Sequence, residues 1–167
     1  MTCVELQGVS NVEIDSPPAT LVIGLGNPLY GDDGVGVRAV QILGEQTLPP
    51  GVEVVDGGTQ GLGIVNLMEG RQRVILIDAA DMGQDPGQFV RFLLDEVRLL
   101  GNDQHLSVHA AGLRDALLLA QTLKMLPGEV IIFGVQPANL GWDNTLSPQI
   151  EATLPKLIEA VLAEFKQ

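Results

Sequence analysis

A single cysteine, Cys3, stands in a chain of 167 residues. One thiol excludes an intramolecular disulfide and any multi-cysteine zinc site. Its place in a terminal segment makes it a poor nucleophile candidate. Aromatic residues are 4% of the chain against 46% for all hydrophobic residues, so the core must be built from aliphatic side chains. Basic residues are scarce as well. Nine Lys and Arg stand against 21 Asp and Glu, a net charge of −12. A surface of that sign repels polyanions, which argues against nucleic acid as a partner. No apolar run reaches the ~18 residues needed to cross a bilayer. The opening "MTCVELQGVSNVEID" lacks the basic and apolar regions of a secretory signal. A cytoplasmic protein without a membrane partner is the expectation. There is no GxSxG nucleophile elbow, no internal repeat and no low-complexity block.

What is present is an alternation of strand and helix patterns. "TLVIGL" (20–25), "GVEVVD" (51–56), "RVILIDA" (73–79) and "EVIIFGV" (129–135) are short apolar runs. Such unbroken runs suit strands buried on both faces, as in a parallel sheet. "GQFVRFLL" (87–94) is a further strand candidate, at an edge. Between them, Val35, Ala39, Ile42 and Leu43 share one helical face, and Leu113, Leu117, Ala120 and Leu123–Lys124 share another, ended by Pro127-Gly128. Ile150, Leu154, Leu157, Ile158, Val161, Leu162 and Phe165 form a third stripe, with Ser147 as N-cap and Pro148 at N1. The expected fold is α/β: three layers, a twisted, mostly parallel sheet flanked by helices on both faces, of a phosphorylase/hydrolase-like kind. Residues 1–18, with Pro17 and Pro18 at their end, read as an N-terminal extension, and 19–167 as a single domain. No coiled-coil pattern or apolar outer stripe is visible, so a monomer is expected.

In such sheets the chemistry gathers beyond the carboxyl ends of the strands. Asp33 lies just past the first strand, Asp56 ends the second, Asp78 ends the third, and His109 stands at the mouth of a later helix. Each has a plainer reading. Asp32 or Asp33 could cap the helix that begins near Gly34. Asp56 before Gly57-Gly58 is a common turn signal, with Thr59 as a cap for the next helix. Asp78 follows four aliphatic residues, where an unpaired carboxylate is expensive, but a hydrogen-bonded structural role is open to it. His109 could line the start of its helix, and His105 reads as loop surface. The "QPANLGWDNT" loop either contacts a partner or is anchored by a buried Trp142 indole. Taken together, two carboxylates and an imidazole make a three-point site for a borderline divalent ion. With no nucleophile in reach, metal-assisted chemistry fits better than covalent catalysis.

Five segments, in this order, carry a resemblance: "GLGNPLYGDDGVGVRAV", "VDGGTQGLGIVNLMEG", "VILIDAADMGQDPGQF", "SVHAAGLRDAL" and "FGVQPANLGW…LSPQIEA". From about Ala19 onward the chain resembles the hydrogenase maturation endopeptidases. The resemblance implies a largely parallel sheet flanked by helices. It also implies removal of a short C-terminal extension from the immature large subunit of a nickel-iron hydrogenase, after nickel insertion. The family's three metal-contacting positions fall on Asp33, Asp78 and His109. The first is often Glu in relatives and is one methylene shorter here. Asp56 matches the acid of the family's DGGT segment and supports the site or catalysis, so the implied catalytic set is Asp33, Asp78 and Asp56. The nickel would come from the substrate's own active site, and zinc or cadmium could stand in for it. Only neutral imidazole ligates, so binding should weaken in mild acid.

On this reading the glycine-rich turn faces a cation, which is why it carries acids where a phosphate loop would not. Asp33 goes to the metal and Asp32 to the turn or the helix N-terminus. Asn at position 32 would then cost about 0.5 kcal/mol. Two other readings share features of the chain. A non-catalytic, metal-sensing chaperone would use the same three residues. "GLGNP" followed by Tyr also resembles the opening of peptidyl-tRNA hydrolase, although "GDDGVGVRAV" departs from that family and −12 suits a tRNA badly.

Overall fold

A computed structural model describes residues 17–95 and 110–166. Residues 1–16, which include most of the expected extension and Cys3, lie outside the described residues, as do His105 and His109. Five strands form one sheet: β1 (Thr20–Leu25), β2 (Val52–Gly58), β3 (Arg73–Ala79), β4 (Phe89–Leu93) and β5 (Glu129–Val135). Their order is β2-β1-β3-β5-β4. The pairs β1–β2, β1–β3 and β3–β5 are parallel, and β4 runs antiparallel on the edge beside β5. The described helices are α1 (Val35–Gly44), the short α2 (Ile64–Met68), α3 (Ala110–Thr122) and α4 (Pro148–Glu164). None of them is long and apolar enough to cross a membrane.

The apolar runs are continuous because both faces of the sheet are covered. Val22, Ile75, Ile77, Ile131 and Phe133 face α1 and α4, meeting Val35, Ala39, Leu43, Ile150, Leu154, Leu157 and Val161. The alternate residues Leu21, Ile23, Val74, Leu76, Val130 and Ile132 meet α2 and α3 through Ile64, Met68, Leu113, Ala116, Leu117 and Ala120. The period-2 alternation of a strand therefore delivers half of each run to each layer.

Two helix ends differ from the sequence pattern. α3 stops at Thr122, so Leu123 leaves the stripe and is exposed. Lys124 adopts a left-handed conformation (φ 57°), and the Met125 N–H donates to the Ala120 carbonyl at 2.8 Å. That is the 6→1 closure that normally ends a helix with glycine. At the start of α4, Ser147 occupies the N-cap and Pro148 the first turn, as expected, but the Ser147 side chain makes no capping bond. α4 continues through Pro155.

β1 is the first strand, yet β2 and β3 lie on opposite sides of it. The chain leaves β1, crosses one face through α1 to β2, and returns through α2 on the other face to β3. The carboxyl ends of β1 and β3 thus form the switch point of the sheet, where a crevice opens between connections that diverge to opposite faces. Two glycines let α1 close on that point. A Cβ on Gly36 would overlap the Ile77 and Leu25 carbonyls, and one on Gly24 would overlap the Gly36 carbonyl. The first turn of α1 therefore rests directly on the ends of β1 and β3.

At the opposite pole, ion pairs tie the last helix to the sheet. Glu164, almost fully buried, accepts from Arg91 Nε and Nη2 at 2.7 and 3.1 Å. Arg73 pairs with Glu129 and donates to the Glu164 carbonyl at 2.8 Å.

Gly36→Ala is expected to destabilise the protein by about 3 kcal/mol or more, because the obstructing atoms are backbone and cannot rotate away. Chemical denaturation of the variant beside Gly44→Ala, whose added Cβ meets only an ordinary side-chain contact, measures the difference.

Candidate active site

The turn between β1 and α1 contains a single 3-10 segment, Gly31–Gly34, and it holds both acids of the "GDDG" sequence in full burial. The segment packs against β3. Asp33 and Asp78 are thereby brought to one edge of the molecule, 0% and 2% exposed. Asp33 Oδ2 accepts the Asn27 N–H at 2.6 Å, and its own N–H donates to the Tyr30 carbonyl at 3.3 Å. Gly26 (φ 118°) is required where the chain turns back, since a Cβ there would overlap the Asp33 carbonyl. Asp78 stands one residue beyond Ile77, paired in register with Gly134 of β5.

Asp56 is placed differently. It pairs in register with Gly24, so it sits on the far side of β1 from β3, about two strand spacings or ~10 Å from the Asp78 strand. Its side chain is exposed, and Oδ1 accepts the Gly58 N–H at 2.9 Å. This is the local side-chain turn that Asp-Gly-Gly favours. β2 continues past Asp56 to Gly58. Thr59 caps nothing: a 3-10 turn over Gly61–Gly63 precedes α2, and neither has a side-chain cap. Among the described residues no three His, Cys, Asp or Glu gather as a metal site. The third expected member, His109, lies outside them and directly precedes Ala110, the first residue of α3. Only six residues separate Thr122 from Glu129, so α3 runs back along β5 and begins at the same carboxyl edge.

Asp32 is not a helix cap. Neither the 3-10 segment nor α1 has a side-chain capping bond. Its carboxylate instead reaches across the chain to the segment after β5. Oδ2 accepts the N–H groups of Ala138 at 2.8 Å and Asn139 at 2.7 Å, and the Ser147 hydroxyl at 2.9 Å. Oδ1 accepts the Ser147 N–H at 2.6 Å. This is where the Ser147 side chain is spent. Two backbone bonds run alongside, Gly31 N to Asp143 O at 2.7 Å and Asp32 N to Asn139 O at 3.0 Å. The β1–α1 turn and the 138–147 loop therefore form one unit. At its tip Asp143 Oδ1 accepts the Thr145 hydroxyl and N–H at 2.8 and 3.0 Å, which hold its carboxyl below the usual range.

Gln136, which directly follows β5, performs the same service for the loop beyond Asp78. Its Oε1 accepts Met82 N–H at 2.7 Å and Gln84 N–H at 3.1 Å, and its Nε2 donates to Asp81 at 3.2 Å. Gln136 was not among the residues expected at the site. The available signal was a polar residue directly after an apolar strand. Trp142 is 84% exposed, so of the two readings of its loop the buried anchor is wrong and the partner contact is the one left. Its ring meets only the edge of Tyr30, with centroids 5.7 Å apart at 87°.

A doubly wound sheet with buried carboxylates at its switch point defines a class of site and not yet a family. The family comes from comparison. Residues 37–164 match the profile of the hydrogenase maturation proteases of the HycI type. The chain is 36% identical over 150 residues to the hydrogenase expression/formation protein HupD of Bradyrhizobium diazoefficiens, covering 87% of this chain and 78% of that one. It is 34% identical to the hydrogenase 2 maturation protease of Escherichia coli, covering 88% and 90%. The solved structure of the hydrogenase maturating endopeptidase HybD from E. coli superimposes with a TM-score of 0.79 at 34% identity, over 88% of this chain and 91% of that one. The [NiFe] hydrogenase maturation protease HybD of Thermococcus kodakarensis does so with 0.74 at 29%, over 85% and 95%. This chain belongs to the hydrogenase maturation proteases, and it is a peptidase.

The geometry revises the stability of the two neighbouring acids. Asp32→Asn places an amide NH₂ where an oxygen faces only donors, so at least one buried N–H or hydroxyl loses its acceptor. The expected cost is about 3 kcal/mol, six times the capping value and about 6–12 °C in Tm. Thermal unfolding followed by circular dichroism checks it; a shift under 2 °C would contradict the clamp.

Proposed function

We propose that this protein removes the C-terminal extension from the large subunit of a nickel-iron hydrogenase once nickel is in place, with Asp33 and Asp78 as the central pair. The observation that carries the reading is the burial of these two carboxylates at the switch point of a chain that belongs to the maturation proteases. Carboxylates at that edge suit a cation and repel a phosphate. The nickel belongs to the substrate, where it has open positions for further donors. Asp33 and Asp78 supply oxygen donors, and His109 supplies nitrogen by the family resemblance. Such a three-point contact recognises a loaded subunit and rejects an empty one.

The chemistry assigned to this chain is proton handling. One carboxylate takes a proton as water adds to the scissile carbonyl carbon, and returns it to the amine nitrogen as the C–N bond breaks. Asp56 supports that edge by holding the turn after β2. The protein works as a monomer in the cytoplasm, without nucleic acid or membrane partners.

Purified protein mixed with nickel-loaded and nickel-free precursor, read by intact mass, tests the proposal. Loss of the extension from the loaded form alone is expected. The free extension peptide should remain uncut without metal, and its efficient cleavage would overturn the reading. Binding of the loaded precursor with no cleavage would make the protein a chaperone. Asp33→Asn and Asp78→Asn should each reduce processing at least about 100-fold, while circular dichroism shows both variants folded. If Asp32→Asn is inactive and Asp33→Asn active, the assignment is shifted by one residue.

A further inference from the structure

We infer that Trp142, with Leu29 on the facing turn, is the anchor by which the protein docks the folded large-subunit precursor outside the scissile segment. This rests on the function proposed above and adds the surface that selects the subunit. Trp142 is 84% and Leu29 59% exposed, the two largest exposures among the described large hydrophobic side chains. The segments that carry them are joined by the Tyr30–Asp143 bridge and the Gly31 N–H to Asp143 carbonyl bond, so the two side chains share one rim beside the candidate site. Contiguous apolar surface of this kind marks a contact, and a tryptophan contributes about 150–250 Å² when covered.

The loop that carries the anchor is held in place. Trp142 belongs to the loop that the buried Asp32 carboxylate holds through four hydrogen bonds. Tyr30 supports the indole edge-on and forms an isolated β-bridge with Asp143, the residue after Trp142. A loop already held in place loses little entropy when its exposed side chain is covered. The anchor is also continuous with the site. Tyr30 accepts the Asp33 N–H at 3.3 Å, so the group that braces the indole and the candidate ligand share one turn. A protein whose tail reaches Asp33 must come up against this rim.

The occupant follows from charge. A second copy of this chain carries the same net charge of −12 and is repelled on approach. Asp143 stays ionised beside the indole, because the Thr145 hydroxyl and N–H favour its charged form. The complementary surface is an apolar pocket with a basic residue at its edge, on the large subunit.

Trp142 is the only tryptophan, so fluorotryptophan incorporated into the protease reports this position alone by fluorine NMR. Nickel-loaded precursor is expected to shift or broaden that resonance. Trp142→Ala should keep the wild-type melting temperature and weaken precursor binding at least about tenfold, raising KM while kcat stays within about twofold. An unmoved resonance in a complex that forms and is processed would overturn the anchor. So would a Kd within about twofold of wild type for Trp142→Ala. A resonance that moves with protease concentration alone assigns the surface to a second copy and also overturns it. If the wild-type protein neither binds nor cleaves the precursor, the proposed function itself fails, and the anchor with it.

Discussion

The carboxylate of Asp32 is the interaction on which the catalytic edge depends. An ionised group in full burial is expensive, and it persists only when its lone pairs are met. Here four donors from three residues meet them, all more than one hundred positions away in sequence. The bonds go largely to backbone N–H groups, so the 138–147 loop is shaped around the acid and little depends on its own side chains. Two loops that would otherwise be the most mobile parts of a doubly wound sheet become one body. The candidate ligand Asp33 is the next residue, so its backbone inherits the same restraint.

The second constraint is the glycine crossing beneath that turn. Gly24 and Gly36 let the first turn of α1 approach the ends of β1 and β3 without an intervening side chain. Depth results: the "GDDG" segment sits against β3 rather than above it, and acids that would be surface residues in a looser turn are enclosed. Gln136 closes the other wall by gathering three residues of the loop after Asp78. Two buried polar side chains, each directly beyond a strand or within a tight turn, thus replace the large hydrophobic contacts that hold most loops.

Much of this was legible in the chain. The three central strands, β1, β3 and β5, follow from apolar runs, because burial on both faces leaves little polar interruption to confuse the pattern. β2, read the same way, is instead a half-buried edge strand that carries Glu53. The edge position of β4 was legible too, since Arg91 and the polar Gln88 weaken its run. Burial of Asp78 followed from its four aliphatic predecessors. The roles of Asp32, Ser147 and Gln136 were not legible. Local rules match an acid with the nearest helix N-terminus and a serine with the helix it precedes. The actual partners are joined only when β1 and β5, strands far apart in sequence, come into one sheet. The buried-anchor reading of Trp142 failed for a related reason. A lone tryptophan in an apolar-rich chain is expected inside, and nothing in "QPANLGWDNT" shows that backbone bonds to Gly31 and Asp32 turn its ring outward.

Adjacent acids of the same charge now separate by geometry. In a 3-10 segment successive side chains diverge by about 120°, so Asp32 and Asp33 cannot serve one centre. Asp32 turns toward the 138–147 loop, where donors saturate it, and its charge is consumed in structure. Asp33 turns toward Asn27 and the carboxyl end of β1. The pairing is therefore a division of labour enforced by the turn. A single acid could hold the loop or face the switch point, and the second residue allows both within one helical step. The same geometry makes the turn unfit for a phosphate. Its N–H groups at positions 31, 32 and 33 donate to protein carbonyls, so these three are not left to cradle an anion, and the buried carboxylates beside them would repel one.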